Sequence, residues 1–391
     1  MISFEEALET VLGSSPLIGT ERINFREAMG RVLQEDIKSD IDLPPFNKSA
    51  MDGFACRRED LGKDLEILEV IPAGTAPSVA INEGQCSKIM TGAMVPEGAD
   101  VVIKVEETMT TDSGKVRFTE KQTKSNIINR AEDIQQGERI LSKGLTIKPQ
   151  HIAVLATVGA VKPLVAKRVH VGILSTGDEI IEPDQVPDNS KIRNSNAYQL
   201  IAQVERTGAI AHYYGIAEDD EGKSFEMIQT ALSENDMVLL TGGVSMGDFD
   251  FIPKVLDGLG VEILFQKVAI QPGKPTVYGI YQDKRVFGLP GNPVSSFNTF
   301  ELFVKPLIHK MTGTEFKAKV ISLPLARDYE RKRSSRMSWI PVKINEEQQV
   351  NPLEYHGSAH IHALVEADGI INIPVGVTKL AKGDIVDVRF V

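Results

Sequence analysis

The rhythm of apolar positions changes along this chain, and each change marks a structural boundary. MISFEEALETVL opens with an amphipathic helix pattern, and Ile23–Arg31 and Val32–Ile37 read as further helical or extended stretches. From Asp42 the loop-rich LPPFNKSAMDGFA leads into short runs, LEILEVIPAG, CSKIMTG, DVVIKVEE and KVRFTE, spaced by turn residues. That texture predicts a small all-β domain. GERILSKGLTIKPQHIAVLATVGA then returns to extended and helical character, so the chain is expected to revisit its first domain. Between about Val169 and Thr312, apolar runs such as VHVGIL, MVLLTGG and RVFGLP alternate with helical patterns such as NAYQLIAQVERTG and FIPKVLDGLG. Alternation of this kind predicts a parallel sheet with helices on its faces. From about Lys317 short strands return (KAKVISLPL, SWIPVKI, IINIPV, DIVDVRFV) as a compact β module. The fold class is multidomain α/β plus β.

Three loops in the α/β stretch carry candidate chemistry, since ligands of such sheets bind beyond the carboxyl ends of the strands. Ser175-Thr176-Gly177-Asp178-Glu179 follows VHVGIL. Thr241-Gly242-Gly243-Val244-Ser245-Met246-Gly247-Asp248 follows DMVLL. Leu289-Pro290-Gly291-Asn292-Pro293-Val294-Ser295-Ser296 follows RVFG. Glycine lets backbone approach a ligand closely, and free N–H groups opening a helix favour anions. A single such loop is best read as a tight turn; three on one sheet edge favour a phosphate or oxyanion site. Gln271-Pro272-Gly273-Lys274-Pro275 adds one ammonium on a stiffened backbone, suited to phosphate or a tetrahedral dianion. In the β domain, Asp52 beside Gly53 is either packing or a ligand for a hard cation such as Mg²⁺. No Walker A or GxGxxG pattern is present, so ATPase and NAD readings have no support.

Composition narrows the partners. The net charge of −11 with no long basic run argues against nucleic acid, though a local pocket can still be positive. Cys56 and Cys86 are the only cysteines and form no CxxC pair, which fits a reducing compartment. The start lacks a basic, signal-like segment and no apolar stretch is long enough for a bilayer, so a soluble, cytoplasmic protein without membrane contacts is expected.

Taken together, PPFNKSAMDGFA, TGAMVPEGADVVIKVEE, ILSTGDEI, IRNSN, LLTGGVSMGDFDF, PGKPTVYG and GLPGNPVSS resemble, in this order, the motifs of the MoeA and gephyrin E-domain family. The likeness runs from residue 1 to about 312 and more weakly to the end. It implies four domains: a discontinuous linking domain at 1–41 and 140–166, a small β domain at 42–139, a doubly wound domain at 167–313 that binds molybdopterin, and a C-terminal β-barrel-like domain at 314–391. It also implies a cytoplasmic homodimer that inserts molybdenum from molybdate into adenylylated molybdopterin, releasing AMP, with a divalent cation such as Mg²⁺. A molybdopterin adenylyltransferase and molybdenum enzymes are the implied partners. The resemblance maps acidic residues onto Asp52, Glu179 and Asp236 and a lysine onto Lys274, which form the expected catalytic set; the chemistry of phosphate transfer then assigns Asp52 and Asp236, from different domains or subunits, to the metal. The resemblance also maps Thr91, Asp133, Pro290 and Pro293 onto the substrate and molybdate site, to which the strand-end loops add Ser175, Thr176, Gly242, Gly243, Ser245, Gly291, Asn292, Ser295 and Ser296, and the C-terminal Gly-Ser motif adds Ser358.

The chain departs from the family pattern at Gln271 and Ile128, where basic residues are usual, at Pro341 closing the Arg336 strand motif, and at Ala359 in Gly357-Ser358-Ala359. His356, His360 and His362 form a tempting zinc cluster, with surface histidines the favoured reading. Rival functions are an adenylyltransferase acting one step earlier, a dimeric scaffold that binds a peptide, and a nucleotide-pyrophosphate hydrolase. The β domains oppose the first, and the joint presence of Asp52, Asp236 and Lys274 opposes the second.

Overall fold

The computed structural model describes residues 1–218, 220–243, 252–354, 357 and 359–391. Helix α1 (Phe4–Gly13) starts at a capping box in which Ser3 and Glu6 satisfy each other's N–H groups. It buries Ala7 and Val11 in the core of the central sheet, not in that of the linking segment beside it in sequence.

The small β domain holds β1 (Gly53–Cys56), β2 (Glu66–Ile71), β3 (Gln85–Ile89) and β4 (Val101–Lys104), in the order β2-β3-β1-β4. Side chains of β1 alternate between two cores, Phe54 and Cys56 on one face and Ala55 on the other, as a strand buried on both faces requires. Gly53 sits where β1 runs closest to β4: a Cβ there would lie 2.0 Å from the Ile103 carbonyl oxygen. The chain then returns to the linking region. Thr20–Arg22 pairs with Leu164–Ala166 and Ile37–Lys38 with Arg139–Leu141, around a core of Leu33, Ile147, Leu155 and Val165 that includes α2 (Pro149–Thr157).

The central domain contains β5 (His170–Thr176), α3 (Asn196–Arg206), β6 (Ile210–Ala217), α4 (Glu221–Glu234), β7 (Met237–Thr241), α5 (Ile252–Gly258), β8 (Glu262–Phe265), β9 (Val277–Tyr281), β10 (Lys284–Leu289), α6 (Pro293–Thr299) and α7 (Lys305–Met311). Its sheet runs β6-β5-β7-β10-β9-β8. The first four strands are mutually parallel, and β9 opposes both neighbours, so the doubly wound sheet ends in an antiparallel edge. Val171 and Ile173 face α1, α3 and the C-terminal helices, while Leu174 faces α4 and α5. A π-helical turn, Phe300–Val304, joins α6 to α7.

The C-terminal module comprises β11 (Val320–Pro324), β12 (Met337–Ile344), β13 (Val350–Pro352), β14 (Gly369–Ile373) and β15 (Ile385–Phe390). Ile270–Gln271, from the central domain, extends this sheet by pairing in parallel with Met337–Ser338. Trp339 enters the central core while Ile340 and Val342 enter the module's own, so β12 ties the two domains together. No helix among the described residues is long and apolar enough to cross a membrane.

Because β1 and β4 approach too closely for any side chain at 53, Gly53→Ala is expected to overpack the small β domain by roughly 1–3 kcal/mol. Urea unfolding followed in that domain should show a lower midpoint; an unchanged midpoint would contradict the close approach.

Candidate functional site

The three strand-end loops leave one edge at one level. Ser175 is in register with Thr241, and Thr241 with Leu289, because β5, β7 and β10 are adjacent and parallel. Glycine is required where they meet. A Cβ at Gly242 would lie 2.4 Å from the Thr176 carbonyl oxygen, and one at Gly243 2.8 Å from Thr176 Oγ1. Gly291 comes next, with its Cβ position 3.7 Å from Gly242 Cα. Gly177, at φ 132°, leaves the space that the Glu179 carboxylate fills, with Oε2 2.4 Å from where a Cβ would stand.

Two asparagines of the IRNSN motif, to which the sequence reading assigned no role, lock the loops together. Asn196 Nδ2 donates to Thr241 Oγ1 at 2.9 Å and to the Gly291 carbonyl at 2.7 Å. Asn194 Oδ1 accepts from Ser175 Oγ at 3.1 Å and from the Ala197 N–H at 3.2 Å. Around this clamp, Thr176 Oγ1, Asn196 Oδ1 and Ser296 Oγ are buried without a hydrogen-bond partner. A buried polar atom left unpaired costs about 1–3 kcal/mol, so three in one neighbourhood mark where a ligand's polar groups belong. Pro290 and Ser295 are buried beside them, and Asn292 and Pro293 open α6.

Lys274 is exposed, but its backbone is fixed: its carbonyl accepts from Val268 N and Thr276 N, both at 3.0 Å. The same loop reaches a cavity of about 340 Å³ whose walls include Gln271, Arg331, Lys332, Arg333 and Ser338. Arg331 is a structural post, donating to Ser338 Oγ and to the carbonyls of Arg336, Pro374 and Val377. Lys332 and Arg333 are exposed and have no ion-pair partner among the described residues, which leaves the cavity positive in an acidic protein. Gln271 Oε1 accepts from Arg336 Nη2 at 3.4 Å. The Arg331–Arg333 run was visible in the sequence, but nothing there linked it to residue 271.

A second cluster lies in the small β domain. Thr91 donates to Asp52 Oδ1 through both its N–H and its hydroxyl, each at 2.7 Å. These bonds, the backbone one first, hold the Asp52 carboxyl below the usual carboxylate range, and among the described residues Oδ2 is unengaged. The motif segments also pair with one another: Gly92 N donates to the Ser49 carbonyl, and Ile127–Ile128 pairs with Lys48–Ser49. Asp133 is exposed nearby, its N–H bonded to the Leu43 carbonyl, and Arg130 is paired with Asp42 at 2.6 Å.

Asp236 joins neither cluster. It precedes β7, so ~16 Å of strand, at about 3.3 Å per residue, separates it from Thr241. Its Oδ2 accepts from the His170 N–H at 2.8 Å, on the opposite edge of the sheet, which removes it from the expected metal pair. Ser245, Ser358 and His356 lie outside the described residues. Residues Ile361–Leu364 form a 3₁₀ turn, so His360 and His362 do not share a strand face. Among the described residues no cluster of three or more metal-ligating side chains occurs.

Fold and site together define a multidomain α/β plus β protein whose strand-end loops enclose buried, unpaired polar atoms. Family models match in chain order: "MoeA N-terminal region (domain I and II)" at residues 2–159, "Probable molybdopterin binding domain" at 172–310 and "MoeA C-terminal region (domain IV)" at 322–391. A molybdopterin molybdenumtransferase of Staphylococcus epidermidis is 35% identical over 397 residues, covering 99% of this chain and 95% of that protein. A putative molybdopterin biosynthesis protein of Methanocaldococcus jannaschii is 36% identical over 376 residues, covering 94% and 91%. The crystal structure of a molybdopterin biosynthesis MoeA protein from Pyrococcus horikoshii superposes with a TM-score of 0.87 at 31% identity, covering 100% and 99%. The chain belongs to the MoeA family.

Thr91→Val removes the hydroxyl donor to Asp52, so the Asp52 carboxyl should titrate at higher pH than in the wild type. Because its folded value is lowered, the stability it contributes is present at neutral pH and is lost as pH falls through that value. Carboxyl carbon NMR across the acid range tests this, and an unmoved titration would show that Thr91 does not set it.

Proposed function

We propose that this protein transfers molybdenum from molybdate to the dithiolene of adenylylated molybdopterin, with release of AMP. The observation that carries the reading is the strand-end pocket, with Thr176 Oγ1, Asn196 Oδ1 and Ser296 Oγ buried and unpaired. The hydroxyls of Thr176 and Ser296 suit the substrate's phosphate oxygens. The positive cavity at the C-terminal module, with Lys332 and Arg333 in its walls and Lys274 three residues on from its wall residue Gln271, suits a tetrahedral dianion such as molybdate. In the transfer, the two thiols of the dithiolene form Mo–S bonds in place of one Mo–O bond, whose oxygen leaves with their protons as water. The phosphoanhydride is cleaved by water at phosphorus, and AMP is the leaving group.

A divalent cation such as Mg²⁺ fits Asp52 better than Asp236. Asp52 is exposed, ionised at neutral pH and has Oδ2 unengaged, whereas the Asp236 carboxylate is bonded to His170 on the far edge. Mg²⁺ is commonly held by one or two carboxylates together with substrate phosphates and water. When bound, it would neutralise charge on the phosphates. Thr91 would keep the Asp52 carboxylate oriented and charged.

Asp52 and the strand-end loops belong to separate cores of one chain, and no hydrogen bond or ion pair among the described residues joins them. The reading therefore includes a homodimer in which one protomer's β domain completes its partner's pocket. It carries with it a cytoplasmic location, which two free, buried cysteines fit, and encounters with an adenylyltransferase and with the enzymes that receive the cofactor.

AMP release from adenylylated molybdopterin, with and without molybdate and Mg²⁺, tests this directly. The wild type should release AMP in a molybdate-dependent way, and Asp52→Ala should lower the rate by about a hundredfold or more, the scale expected on losing a charge-organising group. Release indifferent to molybdate would instead indicate a hydrolase, and no release at all a scaffold.

A further inference from the structure

Next to the strand-end loops lies a wide-mouthed, solvent-open cavity of about 610 Å³. Its walls include Glu182, Asp184, Arg193, Asn194, Ser195 and Tyr198. It shares a wall with the pocket already described: Asn194 holds Ser175, and Asn196, two residues on, reaches Thr241 and Gly291. The oxyanion chemistry above uses none of Glu182, Asp184, Arg193 or Tyr198.

Tyr198 is arranged as a platform. Its hydroxyl donates to Glu182 Oε2 at 2.9 Å, its ring leans on Tyr213 at 5.6 Å between centroids, and 44% of the residue is exposed. Glu182 is committed on both oxygens, since Tyr213 donates to Oε1 at 2.7 Å. The ring is thus fixed in place while part of its surface stays open. Asp184 is exposed close by, near enough for its charge to act on the Tyr198 phenol. Arg193 donates Nε–H to the Gln185 carbonyl at 3.0 Å, and among the described residues its other guanidinium N–H groups have no partner, which leaves them for an acceptor.

We infer that this cavity takes the pterin ring of the substrate, stacked on Tyr198, while the substrate's phosphates occupy the strand-end loops. The inference rests on the function proposed above and adds the recognition of the ring. A pterin presents its 2-amino group and N3–H side by side, two donors that match the two oxygens of one carboxylate, here Asp184. The neighbouring ring carbonyl is an acceptor for Arg193. Adenine alternates donor and acceptor on the corresponding edge, so the same set of groups favours the pterin end of the molecule over the AMP end.

The test measures binding of 6-hydroxymethylpterin phosphate and, separately, of AMP to the full-length protein by calorimetry. Tyr198→Ala and Asp184→Asn should each weaken the pterin probe by about tenfold or more and leave AMP within about twofold. Tyr198→Phe keeps the ring and loses only the bond to Glu182, so it should retain most of the affinity. A phenylalanine variant as weak as the alanine one would reduce Tyr198 to a support for Glu182 and overturn the stacking role. Loss of AMP affinity with pterin affinity unmoved, or no pterin binding by the wild type, would overturn the assignment. The outcome is separable from the parent reading: molybdate-dependent AMP release by the wild type, with pterin binding indifferent to these substitutions, sinks the ring site alone.

Discussion

The side-chain amide of Asn196 is the contact on which the central pocket depends. Its two N–H donors span the ends of β7 and β10, to Thr241 Oγ1 and the Gly291 carbonyl, and leave its oxygen buried and unpaired beside them. Asn194 does the same for β5 through Ser175. These bonds work only because β5, β7 and β10 are parallel neighbours in register, so that their loops emerge together. Glycines at 242 and 243 then allow the backbone to close against Thr176 to a distance no side chain would permit. Strand direction, glycine and two amides thus convert three unremarkable turns into one polar, ligand-ready enclosure.

Much of this was legible along the chain. Apolar runs followed by Gly, Ser and Pro marked the strand ends, and alternating elements marked the doubly wound sheet. The return of the chain to its first domain near residue 140 showed as renewed extended pattern, and it is realised in the pairing of Ile37–Lys38 with Arg139–Leu141. Other features depended on contacts that no local pattern encodes. The α1 stripe announces a partner surface without saying that it is the central core. Asn194 and Asn196 look like loop polarity until the strands they bridge are assembled. The Arg331–Arg333 run acquires meaning only beside Gln271, some 60 residues earlier in the chain. Asp236 entered the expected site through the family resemblance, but it stands at the end of the strand opposite the one where the Thr241 loop leaves.

The molecule separates its chemistry into parts with different electrostatics. The strand-end loops offer two hydroxyls and an amide oxygen, the cavity at the C-terminal module offers positive charge, and the Asp52–Thr91 pair offers an ionised carboxylate with one oxygen unengaged among the described residues. The proposed metal-assisted transfer would use all three, since neither cations alone nor a carboxylate alone stabilises phosphate transfer and binds a dianion. The domains that carry the first two parts are joined within one chain by the Ile270–Gln271 pairing with β12. The third is carried on a domain with its own core, which is why completion by a second protomer is central to the account.

That claim is tested most directly by mixing inactive partners. Asp52→Ala damages the β-domain part and Lys274→Ala the central part, and each homodimer should be deficient in molybdate-dependent AMP release. If the site is shared between protomers, co-expressed mixed dimers contain one pocket with both parts intact, and activity should return to a substantial fraction of the wild-type level. Mixed dimers as inactive as either parent, with dimer formation verified, would place both residues in the same chain's site and contradict the account.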